Sequence, residues 1–351
     1  MTNSRSETSE RKKEHIEICL NEDVGFNLKT NGFDKYDFLH CALPEVRLDE
    51  IDLKTEFFGR NLDLPFLISC MTGGTSEAES INSELAEAAA ELNIPIGVGS
   101  QRPALEESPL ADSFKVIRKY ADKVPVLGNI GGAQLAKAKD PVSLIERCVS
   151  MIRADAMVIH LNPAQELFQR EGEPDFKGFL KKFEFSAGKA EVPLIVKEVG
   201  SGISREIARK LLEAGARGID VAGAGGTSWT AVEIIRGDKS DETTDFFRNW
   251  GIPTSYAIRK VNELSDRFDF VLIGSGGISN GVDTAKALAL GADLTAAAGP
   301  ILRAHSIGGI EGVISHIRHN FEIVKKIMYL TDSGNLPELD KSKLIKVNEF
   351  H

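Results

Sequence analysis

The sequence predicts an α/β protein built as a (β/α)8 barrel, and three observations predict it. Eight short apolar runs recur from residue 65 onward. They are apolar nearly throughout rather than alternating, as strands covered on both faces are. Helical stretches separate them, and the whole alternation fills about 250 residues, the usual span of such a barrel. A doubly wound open sheet is the alternative topology. An N-terminal arm and lead-in (1–64) precede the barrel (65–330), and a polar tail (331–351) follows it.

Each element has its own warrant. Strand one is PFLISC (65–70), followed by IPIGVGS (94–100), PVLGNI (125–130) and AMVIHL (156–161). Strands five to eight are PLIVKEV (193–199), GIDVAG (218–223), FVLIGSG (270–276) and ADLTAAAG (292–299). The helix SEAESINSELAEAAAELN (76–93) puts Ile81, Leu85, Ala89 and Leu92 on one face, and Ser76 with Glu79 has capping-box spacing. SREIARKLLEAGA (204–216) pairs Ile207 with Leu211 and stops at Gly215; GVDTAKALALGAD (281–293) stops at Gly291. Glycine ends helices there because it accepts a left-handed backbone. The segment from Ser228 to Ile258 is too long for a simple connection, so an insertion with its own helices or a lid follows strand six. The first ten residues are expected to be disordered, and the tail from Thr331 to be either docked or mobile.

Composition narrows the class. At 42% hydrophobic and 27% charged the chain is an ordinary globular one. Its formal net charge of −10 argues against a nucleic-acid or acidic-membrane partner. No apolar run is long enough to span a bilayer, and MTNSRSETSERKKEH has no apolar core of a secretory signal. The four cysteines (Cys19, Cys41, Cys70, Cys148) have no C-x-x-C spacing, which fits reduced thiols in a cytoplasm.

Active sites of such barrels lie at the C-terminal ends of the strands. Strand four ends in HLNPAQE (160–166), which crowds His160, Asn162, Gln165 and Glu166 together at that face. Other strands run into Met71-Thr72-Gly73-Gly74, Gly99-Ser100-Gln101-Arg102, Gly128-Asn129 and Gly225-Gly226-Thr227. Each alone reads as a tight turn, but together they line a rim where backbone N–H groups can approach a ligand. IGSGGISNG (273–281) and AAAGP (296–300) follow the last two strands, where barrels often hold a phosphate. GSGGIS is not a G-x-G-x-x-G, so a Rossmann site is not the reading. Lys197 ends apolar strand five and needs a partner: it could form a Schiff base, pair with Glu198, or face an electron-rich ring. ERKKEH (10–15) is either a solvated basic turn or an arm whose Arg11, Lys12 and His15 grip an anion with Arg102. His316 and His319 lack a third metal ligand.

These motifs resemble the type 2 isopentenyl-diphosphate isomerases, which are FMN-dependent barrels. The match runs in order through RKKEH (11–15), MTGG (71–74), GSQR (99–102), GNIGGAQ (128–134), HLNPAQE (160–166), FQREGEPDF (168–176), VKEVGSG (196–202), DVAGAGGTSW (220–229), NWGIPT (249–254) and GSGGI (274–278). The resemblance implies interconversion of isopentenyl and dimethylallyl diphosphate in isoprenoid biosynthesis, with FMN in reduced form, Mg²⁺, and NADPH as reductant. It implies Gln165 and His160 as catalytic residues. Arg11, Lys12, His15, Gln101, Arg102, Asn162 and Gln165 would bind substrate, and Glu166 would bind the metal. Cys70, Met71, Thr72, Ser100, Asn129, Lys197 and Thr227 would contact FMN. Gly277, Ile278 and Ser279, with Ala298 and Gly299, would hold its phosphate end. It also implies a cytoplasmic homotetramer or homo-octamer with no nucleic-acid or membrane partner. One departure stands out: many members carry arginine where this chain has Ser279.

Moving the double bond means protonating one carbon of an alkene and deprotonating another, with positive charge building on carbon. An electron-rich ring in a dry pocket would stabilise that charge, and a flavin ring nitrogen would handle the proton. Among rivals, a 2-hydroxy-acid oxidase wants a His base and an Arg beyond strand six, where this chain has GAGGTSW. An IMP dehydrogenase-like enzyme wants a loop cysteine, whereas Cys148 falls in a helical pattern. A binding-only barrel would share the rim without turnover.

Overall fold

The structure, a computed structural model, describes residues 3–237 and 246–350. Three short strands come first: β1 (Tyr36–Phe38), β2 (Thr55–Phe57) and β3 (Arg60–Leu62). Eight more follow: β4 (Phe66–Ile68), β5 (Ile96–Gly97), β6 (Val126–Gly131), β7 (Ala156–Leu161), β8 (Leu194–Glu198), β9 (Gly218–Asp220), β10 (Val271–Ser275) and β11 (Leu294–Ala297). They pair in parallel, and β11 pairs back onto β4 to close the ring. Closure rules out the open sheet. Every predicted strand is present: β7 has its predicted bounds, β6 starts one residue later and runs on to Gly131, and the others are shortened, IPIGVGS to Ile96–Gly97. The last strand, β12 (Leu344–Lys346), pairs antiparallel with β1, so the tail is docked.

The barrel interior is a packed core. Leu67, Leu127, Ala156, Val158, Ile195, Ile273, Leu294 and Ala296 form one cluster. Phe57 and Leu62 from the β2–β3 hairpin join it, each at most 1% exposed. That hairpin immediately precedes β4, so it plugs the N-terminal end of the barrel. Burying each of these large side chains stabilises the fold by about 1.5–3 kcal/mol. With one end plugged, a ligand can enter only at the other.

The helix Ser76–Glu91 buries Ile81, Leu85 and Ala89 as predicted. Its cap is one residue earlier than the capping-box spacing suggests: Thr75 Oγ1 accepts the Ala78 N–H at 3.0 Å. In the helix Arg205–Glu213 the buried face runs through Ala208, Leu211 and Leu212, while Ile207 lies outside it, 43% exposed. Gly215 (φ 96°) and Gly291 (φ 104°) sit in the left-handed region that ends their helices.

The N-terminus departs from expectation. A helix spans Asn3–Asn21 and takes in residues expected to be disordered. The insertion after β9 contains the helix Trp229–Gly237 and leads to the helix Thr254–Asn262. Residues 238–245 within it lie outside the described residues. A long final helix, Gly299–Leu330, is kinked at Gly309 (φ 56°, ψ −143°). No described helix is long and apolar enough to cross a membrane.

Candidate active site

A cavity of about 590 Å³ opens at the C-terminal ends of the barrel strands. Arg11, Lys12, His15, Arg102, His160, Asn162, Gln165 and Glu166 line it. So do Cys70, Met71, Thr72, Ser100, Asn129, Lys197, Thr227, Gly277, Ile278, Ser279, Ala298 and Gly299. Gln101 does not. Its side chain is fully buried beneath the rim, where Nε2 donates to Cys148 O at 2.9 Å and Oε1 accepts the Asn129 N–H at 2.9 Å. In this structure Gln101 braces Asn129, and its side chain does not border the cavity.

The end of β7 carries a tight polar relay. Pro163 opens the short helix Pro163–Phe168, with its fixed φ and missing N–H suited to a first turn. Ahead of it, Asn162 Nδ2 donates to Gln165 Oε1 and to Glu166 Oε1, both at 3.0 Å. Asn162 Oδ1 is buried without a partner. Gln165 Nε2 donates to Glu233 Oε1 at 3.0 Å. On the strand itself, His160 Nδ1 lies 2.8 Å from Asn129 Oδ1. Asn129 Nδ2 donates to Val98 O at 3.2 Å, so the amide oxygen is the atom facing the ring. Burial, then Lys197 and Lys12, hold the His160 imidazole down at about 4. A neutral ring so placed keeps its proton on Nδ1 and offers Nε2 as an acceptor.

The basic arm is folded over the mouth rather than solvated. Lys12 Nζ donates to the carbonyls of Gly73 and Ser100. Burial, then the neighbouring Arg11, lower the Lys12 ammonium to about 7. No carboxylate pairs with Lys12 among the described residues. Arg11 is lowered by burial and then by Arg102. Arg102 itself pairs with Glu106 at 2.9 Å. His15 Nε2 lies 2.9 Å from Glu233 Oε1, and its ring meets Trp229 edge-on at 5.1 Å. Arg236 anchors the arm from the insertion, reaching Glu14 at 2.7 Å and Glu171 at 2.6 Å.

Two residues that sequence reasoning missed organise this site. Glu233 is buried in the helix Trp229–Gly237 and takes Gln165, His15 and Arg236 together. Burial would raise its carboxyl, but the contacts from His15, Gln165 and Arg236 outweigh that and leave it below the usual range. The available signal was an acid inside the apolar run AVEII (231–235). The other is Asp220. Lys197 Nζ pairs with Asp220 Oδ2 at 3.0 Å, not with Glu198. Successive residues of a strand point to opposite faces, so Lys197 and Glu198 could not meet. Glu198 instead accepts backbone N–H groups of Val199, Gly200 and Ser201 on one oxygen.

The far wall is backbone. Gly276 (φ 102°) and Gly277 (φ 72°) lie so close to the preceding loop that a Cβ would meet Gly223 O at 2.1 Å and Gly225 O at 2.4 Å. These glycine loops border the cavity together with Thr227, and Cys70, also on its lining, carries a thiol that burial pushes up to about 12. This wall fits a planar cofactor with a phosphate tail. Glu166 is the acid that follows β7: Oε1 accepts from Asn162 and Oε2 from the Glu173 N–H at 2.8 Å. Among the described residues no three His, Cys, Asp or Glu side chains cluster as a metal cage. One carboxylate fits Mg²⁺ that takes its other ligands from phosphate oxygens and water.

Comparison with known proteins extends this geometry. The model of the FMN-dependent dehydrogenase family matches residues 4–115 and 169–346. The unmatched stretch 116–168 holds the end of β7, with His160, Asn162, Gln165 and Glu166. An isopentenyl-diphosphate delta-isomerase of Pelodictyon phaeoclathratiforme is 44% identical over 97% of this chain and 98% of its own. That of Chlorobium luteolum is 45% identical over 98% and 97%, and that of Vibrio campbellii 44% over 95% and 98%. Among solved structures, a flavocytochrome b2 variant with pyruvate bound superposes with a TM-score of 0.69 at 19% identity, covering 94% of this chain and 82% of that one. A mandelate oxidase variant with an FMN adduct gives 0.64 at 16%, covering 97% and 98%. At those identities the likeness is one of fold.

Proposed function

The chain belongs to the isopentenyl-diphosphate delta-isomerase family, within the FMN-dependent dehydrogenase fold, and on that premise we propose how its residues interconvert isopentenyl and dimethylallyl diphosphate. The observation that carries the reading is a single cavity that joins three things. It has an arm cation that no carboxylate pairs with among the described residues, a carboxylate with a polar relay after β7, and a glycine wall after β9 and β10.

Lys12, Arg11 and Arg102 would hold the diphosphate. Lys12 suits this because its partners are carbonyls, which leave its charge uncompensated until an anion arrives. Glu166 would bind Mg²⁺ against the same diphosphate, with Asn162 fixing its orientation. His160 would offer Nε2 as an acceptor or hold a polar substrate atom in place. Gln165 would face the allylic carbons, with its amide clamped by Asn162 on one side and Glu233 on the other. Closure of the arm, tied down through His15 and Arg236, would keep water from the developing positive charge. FMN bound in its reduced form would supply an electron-rich ring and a proton-handling nitrogen; Lys197 would then lie beside it as a cation. The same reading takes NADPH as reductant and a cytoplasmic homotetramer or homo-octamer as the working form, on the strength of the resemblance.

The test is an anaerobic NMR assay in D₂O with isopentenyl diphosphate, Mg²⁺, FMN and a reductant. Dimethylallyl diphosphate carrying deuterium, formed only with reduced flavin, is expected. No turnover by protein that has bound flavin would move the chain to another FMN reaction or to a binding-only role. A 5-deaza analogue of FMN should bind and be nearly inactive.

A further inference from the structure

The cavity wall after β11 contains a cation that nothing above uses. Arg303 lies in the second turn of the helix Gly299–Leu330. Side chains on a helix lean toward its N-terminus, and this one reaches back a full turn. Its two terminal guanidinium nitrogens lie 3.4 and 3.8 Å from where a Gly299 Cβ would stand, and Thr227 Oγ1 lies 3.6 Å from the same point. Glycine at 299 leaves the room that the guanidinium takes.

A cation in this position is electrostatically costly unless an anion meets it. The first turn of a helix is its positive end and disfavours a cation. That turn contains no acidic residue, and among the described residues no carboxylate pairs with Arg303. Arg303, Thr227 Oγ1 and the Gly277–Ser279 loop all border one corner of the cavity. Ser279 itself brings no charge there. The arrangement suits an anion.

We propose that Arg303 grips the terminal phosphate of the flavin cofactor, supplying the positive charge that Ser279 does not. The inference rests on the flavin reading given above. The ring of strands separates this corner from the proposed metal ligand Glu166. The order β10-β11-β4-β5-β6-β7-β8-β9 sets β11 four strands from β7 in either direction. Arg303 follows β11 and Glu166 follows β7, so they stand on opposite sides of the mouth. One phosphoryl group at each side leaves the cavity between them for the flavin ring and the alkene.

The experiment titrates apoprotein with FMN and with riboflavin, which lacks the phosphate, and follows flavin fluorescence. Wild type, Arg303→Gln and Arg303→Lys are compared. Losing a charge-assisted contact to phosphate should weaken FMN by about 30-fold in Arg303→Gln. Riboflavin should change by less than about 2-fold, and Arg303→Lys should recover part of the FMN loss. Equal weakening of both flavins would overturn the proposal, because it would mark a structural role. So would unchanged FMN affinity with weakened isopentenyl diphosphate binding in the flavin-loaded protein. Wild type that binds neither flavin would fail at the earlier step, the flavin reading itself, and the inference would fall with it.

Discussion

Lys197 on β8 and Asp220 on β9 are register partners, and their charges meet at 3.0 Å inside the barrel mouth. Asp220 spends its other oxygen on Ser275 Oγ at 2.5 Å and the Ala222 N–H at 3.2 Å. The pair is buried, so its members depend on each other far more than an exposed pair would. Lys197→Met should destabilise the protein by about 3–5 kcal/mol, because Asp220 would keep a buried charge with no cation. Adding Asp220→Asn should restore part of that loss. Urea unfolding of the two variants checks this; an additive double variant would mean that the charges are not coupled.

If Lys12 holds the diphosphate as proposed, its burial sets a pH limit on substrate binding. Its pKa is lowered to about 7, so above that pH it progressively loses the proton that an anion needs. kcat/KM should fall with rising pH through about 7, by up to tenfold per unit. The diphosphate gains negative charge over the same range, which works in the opposite direction, so a fall belongs to the protein. In kcat the limb should move upward, since bound diphosphate holds Lys12 charged. Profiles of kcat and kcat/KM between pH 6 and 9 would reveal this, and a flat kcat/KM would remove Lys12 from diphosphate binding.

Glu166→Gln keeps the shape of the side chain and removes the hard anionic oxygen proposed for Mg²⁺. The Mg²⁺ concentration for half-maximal activity should rise at least about tenfold. A metal titration that overlays the wild-type curve would exclude Glu166 as a ligand.

Glu233 holds Gln165 and His15 at one carboxylate oxygen. Glu233→Gln would reduce that acceptor and release the Gln165 amide from its set orientation. A loss of about 10²-fold in kcat is expected, the scale of a misplaced acid/base group. Steady-state kinetics with unchanged kcat would limit Glu233 to holding the arm.

Gln101 tests the opposite case. Gln101→Leu would strand the Asn129 N–H and remove a side-chain donor from the Cys148 carbonyl, a loss of about 1–3 kcal/mol in stability. Because the side chain does not border the cavity, KM for isopentenyl diphosphate should barely move. A large KM effect without destabilisation would restore the direct contact that the resemblance implies.

The barrel could be read from sequence because its strands are buried on both faces, which turns each into a continuous apolar run. The helix Asn3–Asn21 could not, because its first ten residues have no apolar periodicity and its stability comes from contacts far along the chain. Rim residues next to glycine turns were legible for a related reason: the turns mark strand ends, and strand ends mark the mouth. What stayed hidden were partners set by three-dimensional neighbours. Asp220 meets Lys197 only through strand register. Glu233 arrives on an inserted helix, and Arg303 enters the cavity by reaching back one turn.

The folded arm also sets the order in which the site can be assembled. Arg11, Lys12 and His15 are made first, yet their resting places at Gly73, Ser100 and Glu233 come from chain made much later. During synthesis the arm therefore emerges long before it has anything to hold. The arm can take up its place only once residue 233 has been made, and a bulky extension fused ahead of residue 3 would hang beside the mouth of the cavity.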